Sequence, residues 1–343
     1  MIKKNIYFGI CFVLLFCFCF RLPAGQLKLI KQVSLDDLGI LKPTLLKVHL
    51  GNTYIYDEAA MSFFIINNEF KVIKKFGRSG MGPGEYRMPL VFGFLNNRLW
   101  VRDAYDKMIW YNLAGEFSEE KIQPKKLCLV MEYIDADQYF LLDNQIELNR
   151  DRIDSLIYVT GPEKIKLIEI KVPFQLSVDL EKKISFLFAA SKNACYVVPS
   201  DKRYYIRRFD IAKKVFAGEI EKKNSRRIKY NGKEIAEFNE KKKKMLESTP
   251  YLQQFTIKFP ELKPAVKQIY SDEMDRLYII LPTIQEGKYS LELYDKTLKY
   301  LDGCLVPATA SNLFFPTSGS IYLVNFEEKE EIYWLQVYSF LSR

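Results

Sequence analysis

The sequence predicts an all-β fold: a single six-bladed β-propeller closed by its N-terminal strand, with a helical insertion between blades four and five. Three observations carry this reading. Tyr54-Ile55-Tyr56-Asp57 aligns with Trp100-Val101-Arg102-Asp103, and in both a run rich in Ser, Met, Phe and Ile follows, then a polar turn, then Phe70 or Phe117. Self-similarity at this period is the signature of propeller blades. The unit can be counted six times. The sixth unit lacks an outer strand, and the N-terminus holds an unattached strand of the right kind.

Residues 1–24 read as a signal peptide or an uncleaved anchor. Lys3 and Lys4 make a basic start, Tyr7 to Phe20 an apolar run, and Leu22-Pro23-Ala24 places a small residue at a cleavable boundary. The run is short for a spanning helix, which needs about 20 residues. Cys11, Cys17 and Cys19 raise the question of a lipid anchor, but Phe16 and Phe18 stand where a lipid-modified cysteine wants small residues. Cleaved export to the periplasm or cell exterior is therefore the expected fate, with a membrane-anchored form as its rival. Residues 25–343 form the propeller.

The strongest strand of each unit is read at Tyr54–Tyr56, Leu99–Arg102, Tyr139–Leu142, Cys195–Val198, Leu277–Leu281 and Ile321–Asn325. These are short runs of β-branched and aromatic residues bounded by turn formers. Third strands follow at Phe63–Ile66, Met108–Tyr111, Leu156–Val159, Tyr204–Phe209, Ser290–Tyr294 and Ile332–Tyr338. Inner strands such as Leu45–Leu50 and Leu90–Leu95 precede, and outer strands such as Lys71–Phe76 complete five units. Leu27–Val33 would complete the sixth and leave no open sheet edge.

Residues 221–265 form the widest gap, a basic and partly helical insertion. Ile235, Phe238, Met245 and Leu246 fall near helical spacing, which predicts an amphipathic helix lying on the propeller. Glutamates interleave its lysines, so residues 221–248 suit at most weak contact with a membrane surface. The net charge of +9 at pH 7 drops to about +6 without residues 1–24. That balance, with no aromatic ladder beside the lysines, excludes a nucleic-acid binder.

Catalytic and metal chemistry find few carriers. His49 is the one histidine, its KVHL context suits a strand, and Cys128, Cys195 and Cys304 sit in apolar runs that suit buried thiols. No catalytic residue, zinc site or cofactor is expected, and a carboxylate-only Ca²⁺ site is left open. The loop Gly77-x-x-Gly80-x-Gly82-Pro83-Gly84-Glu85-Tyr86 ends in neither Gly-Lys-Ser/Thr nor a helix, so it reads as a structural crossing between blades and not a phosphate cradle. Gly82 and Gly84 are expected at positive φ, with Glu85 accepting backbone hydrogen bonds and Tyr86 packing between blades.

That glycine loop, the aromatic-aliphatic strands ending in Asp57 and Asp103, and the blade-opening stretch at residues 263–279 resemble the six-bladed propellers of NHL type found in exported bacterial proteins. The resemblance implies the fold and export, and many members have no established activity. In such propellers ligands meet the face carrying the outer-to-inner crossings. Here that face would gather Arg78, Arg87, Arg102, Asp103, Tyr105 and Asp106 as candidate ligand-binding residues. A strand-end aspartate also caps turns, and surface arginines are commonly only solvated. The expected function is a non-catalytic binding or scaffold module for a protein or glycan of the cell envelope. The alternative is a lyase, lactonase or glycan-acting enzyme that works in the propeller channel without histidine or zinc.

Overall fold

The computed structural model describes residues 27–105, 107–122, 128–146, 152–172, 186–199, 203–223, 225, 228–248, 262–285, 287–307, 313–327 and 329–340. The proposed signal region, residues 1–24, lies outside them. The first strand, β1 (Leu27–Ser34), precedes blade one: β2 (Pro43–His49), β3 (Asn52–Asp57), β4 (Ser62–Ile66) and β5 (Val72–Phe76). Blade two is β6 (Pro89–Leu95), β7 (Arg98–Asp103), β8 (Lys107–Asn112) and β9 (Phe117–Ile122). Blade three is β10 (Cys128–Tyr133), β11 (Gln138–Ile146), β12 (Arg152–Thr160) and β13 (Glu163–Val172). Blade four is β14 (Phe186–Ala190), β15 (Ala194–Pro199), β16 (Tyr204–Asp210) and β17 (Val215–Lys222). A helix, α1 (Gly232–Ser248), precedes blade five: β18 (Gln268–Ser271), β19 (Leu277–Gln285), β20 (Lys288–Tyr294) and β21 (Tyr300–Pro307). Blade six is β22 (Leu313–Pro316), β23 (Ser320–Glu327), β24 (Ile332–Phe340) and, as its outer strand, β1.

All neighbouring strands within a blade are antiparallel. The closing pair runs from Leu27 opposite Phe340 to Ser34 opposite Trp334. Second strands are the most deeply buried because both of their faces meet another blade; in β3 the five residues from Thr53 to Asp57 are all buried. The core accordingly lies between blades as a series of apolar clusters. Tyr56, Phe63, Phe92 and Val101 join blades one and two, and Ile55, Phe64, Val324 and Leu335 join one to six. Cys195 and Cys304 are buried free thiols in such clusters, which raises both pKa values by desolvation. The Cys128 side chain lies outside the described residues.

The insertion does contain the predicted helix; none of its residues is buried, Ile235 is 39% exposed, and Phe238, Met245 and Leu246 are half-buried. Its support is local. The Glu234 N–H donates to Asn231 Oδ1 at 2.9 Å while the Asn231 N–H donates to Glu234 Oε2 at 2.8 Å, a reciprocal cap. Lys233–Glu237, Glu240–Lys244 and Lys243–Glu247 pair along its surface. The base is pinned where Lys229 bridges Leu262, the Lys263 N–H donates to the Ile228 carbonyl at 2.8 Å, and the Lys263 ammonium pairs with Glu234.

Candidate functional site

The face carrying the outer-to-inner crossings brings the glycine loop of blades one and two beside the turn after β7. Two aspartates set its backbone. Asp57 Oδ1 accepts the Lys42 N–H at 2.6 Å, and Asp103 Oδ1 accepts the Met88 N–H at 2.7 Å. Each ties the end of a second strand to the residue just before an inner strand. Pro43 and Pro89 follow those residues and stand at the same offset from Asp57 and Asp103, a repeat that was legible beside the aspartates. Proline suits the position because its ring presets the extended entry to the strand.

The loop closes on itself through a single parallel bridge. Ser79 bridges Tyr86, the Tyr86 N–H donates to the Arg78 carbonyl at 3.2 Å, and the Gly80 N–H donates to the Tyr86 carbonyl at 3.0 Å. Tyr86 is fully buried, stacks edge-on against Tyr56 and Phe63, and donates to the Met61 carbonyl at 3.3 Å. Burial pushes its phenol far above the ordinary range. Glu85 accepts the Gly82 N–H at 2.8 Å and Arg78 Nε at 2.6 Å. The Gly82 N–H, with Arg78 adding to it, holds the Glu85 carboxyl below its usual range. This contribution is complete above the ordinary carboxylate pKa and is lost as pH falls through the lowered one.

Sequence reasoning missed the group beneath the loop. Lys107, nearly buried, donates its ammonium to the carbonyls of Met81, Gly82 and Glu85 at 3.2, 3.0 and 3.3 Å, and pairs with Glu120 at 3.0 Å. Glu120 also accepts the Gly84 N–H at 3.2 Å, and the Tyr111 hydroxyl donates to the Gly84 carbonyl at 2.7 Å. Gly84 has φ +71°, and a Cβ there would stand 2.8 Å from the Phe117 ring. Gly82 corrects the expectation, since its φ is not positive; a Cβ there would meet the Glu85 carboxylate at 3.0 Å. Gly84→Val is therefore expected to cost about 2–4 kcal/mol through backbone strain and overpacking. Urea unfolding measures it, and an unchanged midpoint would show that the loop adapts.

The candidate residues divide. Arg78 and Arg87 are exposed, and the Arg87 guanidinium lies over the Tyr105 ring at 4.9 Å. Tyr105 is 53% exposed; Met81 and Met88 of the glycine loop, not anticipated, are 56% and 52% exposed, and Leu41 stands exposed at the matching crossing into blade one. Arg102 and Asp103 are buried, so the structure puts them beneath this surface and not on it. Asp106 lies outside the described residues. The basic insertion leaves from the same face but between other blades.

In the channel, Lys47 of β2 meets both Glu132 oxygens of β10 at 2.9 Å, tying blade one to blade three past blade two. His49 is a strand residue stacked on Phe94 at 4.2 Å, its pKa lowered by burial. Among the described residues no group of three or more His, Cys, Asp or Glu side chains is placed to hold a metal ion, and no helix is long and apolar enough to cross a membrane.

Six four-stranded sheets in a ring closed by the N-terminal strand define a six-bladed β-propeller. Residues 27–301 match the family model described as 6-bladed beta-propeller, DUF5128, and the chain belongs to that family. It is similar to a solved structure from Bacteroides fragilis NCTC 9343 whose description proposes an exported protein. The identity is 14% and the TM-score 0.50, over 92% of this chain and 95% of that one. A structure of U3-55K gives 8% identity and a TM-score of 0.50 over 92% and 98% of the two chains. At these identities the likeness is one of fold. No curated protein matches the chain.

Proposed function

We propose that this chain is an exported propeller of NHL type that serves as a non-catalytic binding or scaffold module of the cell envelope, and that it binds through the crossing face of blades one and two. One observation carries the reading: Leu41, Met81, Met88 and Tyr105 stand more than half exposed on loops that buried polar bonds hold from beneath. Tyr, Met and Arg are the side chains enriched at the centres of protein interfaces, and a rigid loop loses little entropy on binding. Export is supported by the Lys3-Lys4 start and the apolar run that follows, and by the description of the Bacteroides fragilis structure. The Lys47–Glu132 pair occupies the inner strands where a channel enzyme would need open space. Pairing of its lysines with glutamates on α1 leaves that helix little net charge for an anionic membrane.

A photo-reactive amino acid placed at position 88 or 105 is expected to trap a partner in cells that make the protein. The same group at Leu50 or Met274, exposed on the opposite face, is expected to trap none. Equal trapping from both faces, or trapping only from the opposite face, would remove the assignment.

A further inference from the structure

We propose that this face takes a peptide segment offering a carboxylate beside an apolar side chain, the carboxylate held by Arg87 and Arg78 and the apolar group by Met88 and Met81. The proposal rests on the binding-module reading above and specifies the chemistry of its partner. The two arginines leave the backbone close together, because the Tyr86 N–H bonds the Arg78 carbonyl and Arg87 follows directly. Arg78 is 80% exposed in its side chain and spends only Nε on Glu85, so its terminal nitrogens face solvent without a bond among the described residues. Arg87 has no carboxylate partner among the described residues. Its guanidinium carbon stands 4.9 Å from the centre of the Tyr105 ring.

A guanidinium is itself planar and presents its N–H groups as a fork, which matches the two oxygens of a carboxylate. Glu85 bonds Arg78 through one oxygen and the Gly82 N–H through the other, and no bond joins it to Arg87 among the described residues. Met81 and Met88 are exposed on the same stretch of chain, and their flexible thioether chains adapt to varied apolar groups. The two terminal nitrogens of Arg78, the Arg87 guanidinium and two exposed methionines therefore offer a place to a further acid and an apolar anchor.

The probe is a short labelled peptide alternating Glu with Leu and Phe, and its control has every Glu replaced by Gln. Both are titrated into the protein at low ionic strength and followed by anisotropy. The Glu peptide is expected to bind about tenfold tighter than the control. Arg78→Glu with Arg87→Glu should erase that preference, while Met88→Ser should weaken both peptides alike. Lys242→Glu with Lys243→Glu on α1 should change neither. All of these substitutions are at the surface, and unaltered unfolding midpoints confirm intact folds. Equal affinity of the two peptides would overturn the proposal, as would a helix variant that loses the preference as fully as the arginine variant. Arginine-dependent sedimentation with phosphatidylglycerol vesicles, without peptide preference, would assign the face to lipid instead. A trapped partner at position 88 combined with no peptide preference would leave the binding face standing and reject its acidic partner.

Discussion

Removing residues 27–33 is expected to destabilise the whole propeller by about 5 kcal/mol or more, a large part of the stability a domain of this kind holds. The loss does not come mainly from core contacts. Most of β1 is exposed, with Val33 and Leu27 alone packing against the clusters beside it. It comes from the ladder with β24, in which each backbone hydrogen bond contributes about 1 kcal/mol. A second effect adds to the first. Without β1 the long strand β24 becomes an open edge, the kind of template on which chains pair with one another. Urea unfolding and light scattering of the truncated chain would show an earlier transition and concentration-dependent association. A truncated protein that melts with the intact one and stays monomeric would mean that the ring does not depend on its closing strand.

The closing strand was legible because each blade needs four strands and the last unit offers three. The others were legible because both faces of a second strand are buried, so runs such as Leu99–Val101 and Cys195–Val198 are continuous and apolar. The helix was legible as well, from the spacing of Ile235, Phe238, Met245 and Leu246. That the stripe is only half-covered was not, because caps and ion pairs along α1 support the helix locally. The binding face was only half readable. Nothing local separates Arg87, which stays in solvent, from Arg102, which the sheet buries on β7; only the covering of both faces of β7 by other blades decides between them. Gly82 and Gly84 look equivalent in sequence, yet only one needs the left-handed conformation.

Lys107 was the least legible residue and is expected to carry the largest single-residue effect. In sequence it is a lysine after a turn, Asp106-Lys107, with every reason to be solvated. In the fold it opens β8 beneath the glycine loop, where one ammonium satisfies three carbonyls and faces Glu120. Lys107→Met keeps the length of the aliphatic stem and removes those donors. Three carbonyls and a carboxylate that is itself mostly covered then lose their partner together, which points to a loss of about 3–5 kcal/mol. Lys121→Met, on the exposed outer strand of the same blade, should shift stability by no more than about 0.5 kcal/mol. The loop should also loosen, so proteolysis within residues 78–88 should speed up under conditions where the rest of the ring stays folded. Trapping from position 88 should fall with it, although Arg78, Arg87 and Met88 are untouched. Should Lys107→Met unfold at the same urea concentration as the unaltered protein, the ammonium would be dispensable, and the rigidity of this face would have to come from the bonds of Glu85, Asp103, Tyr86 and Tyr111.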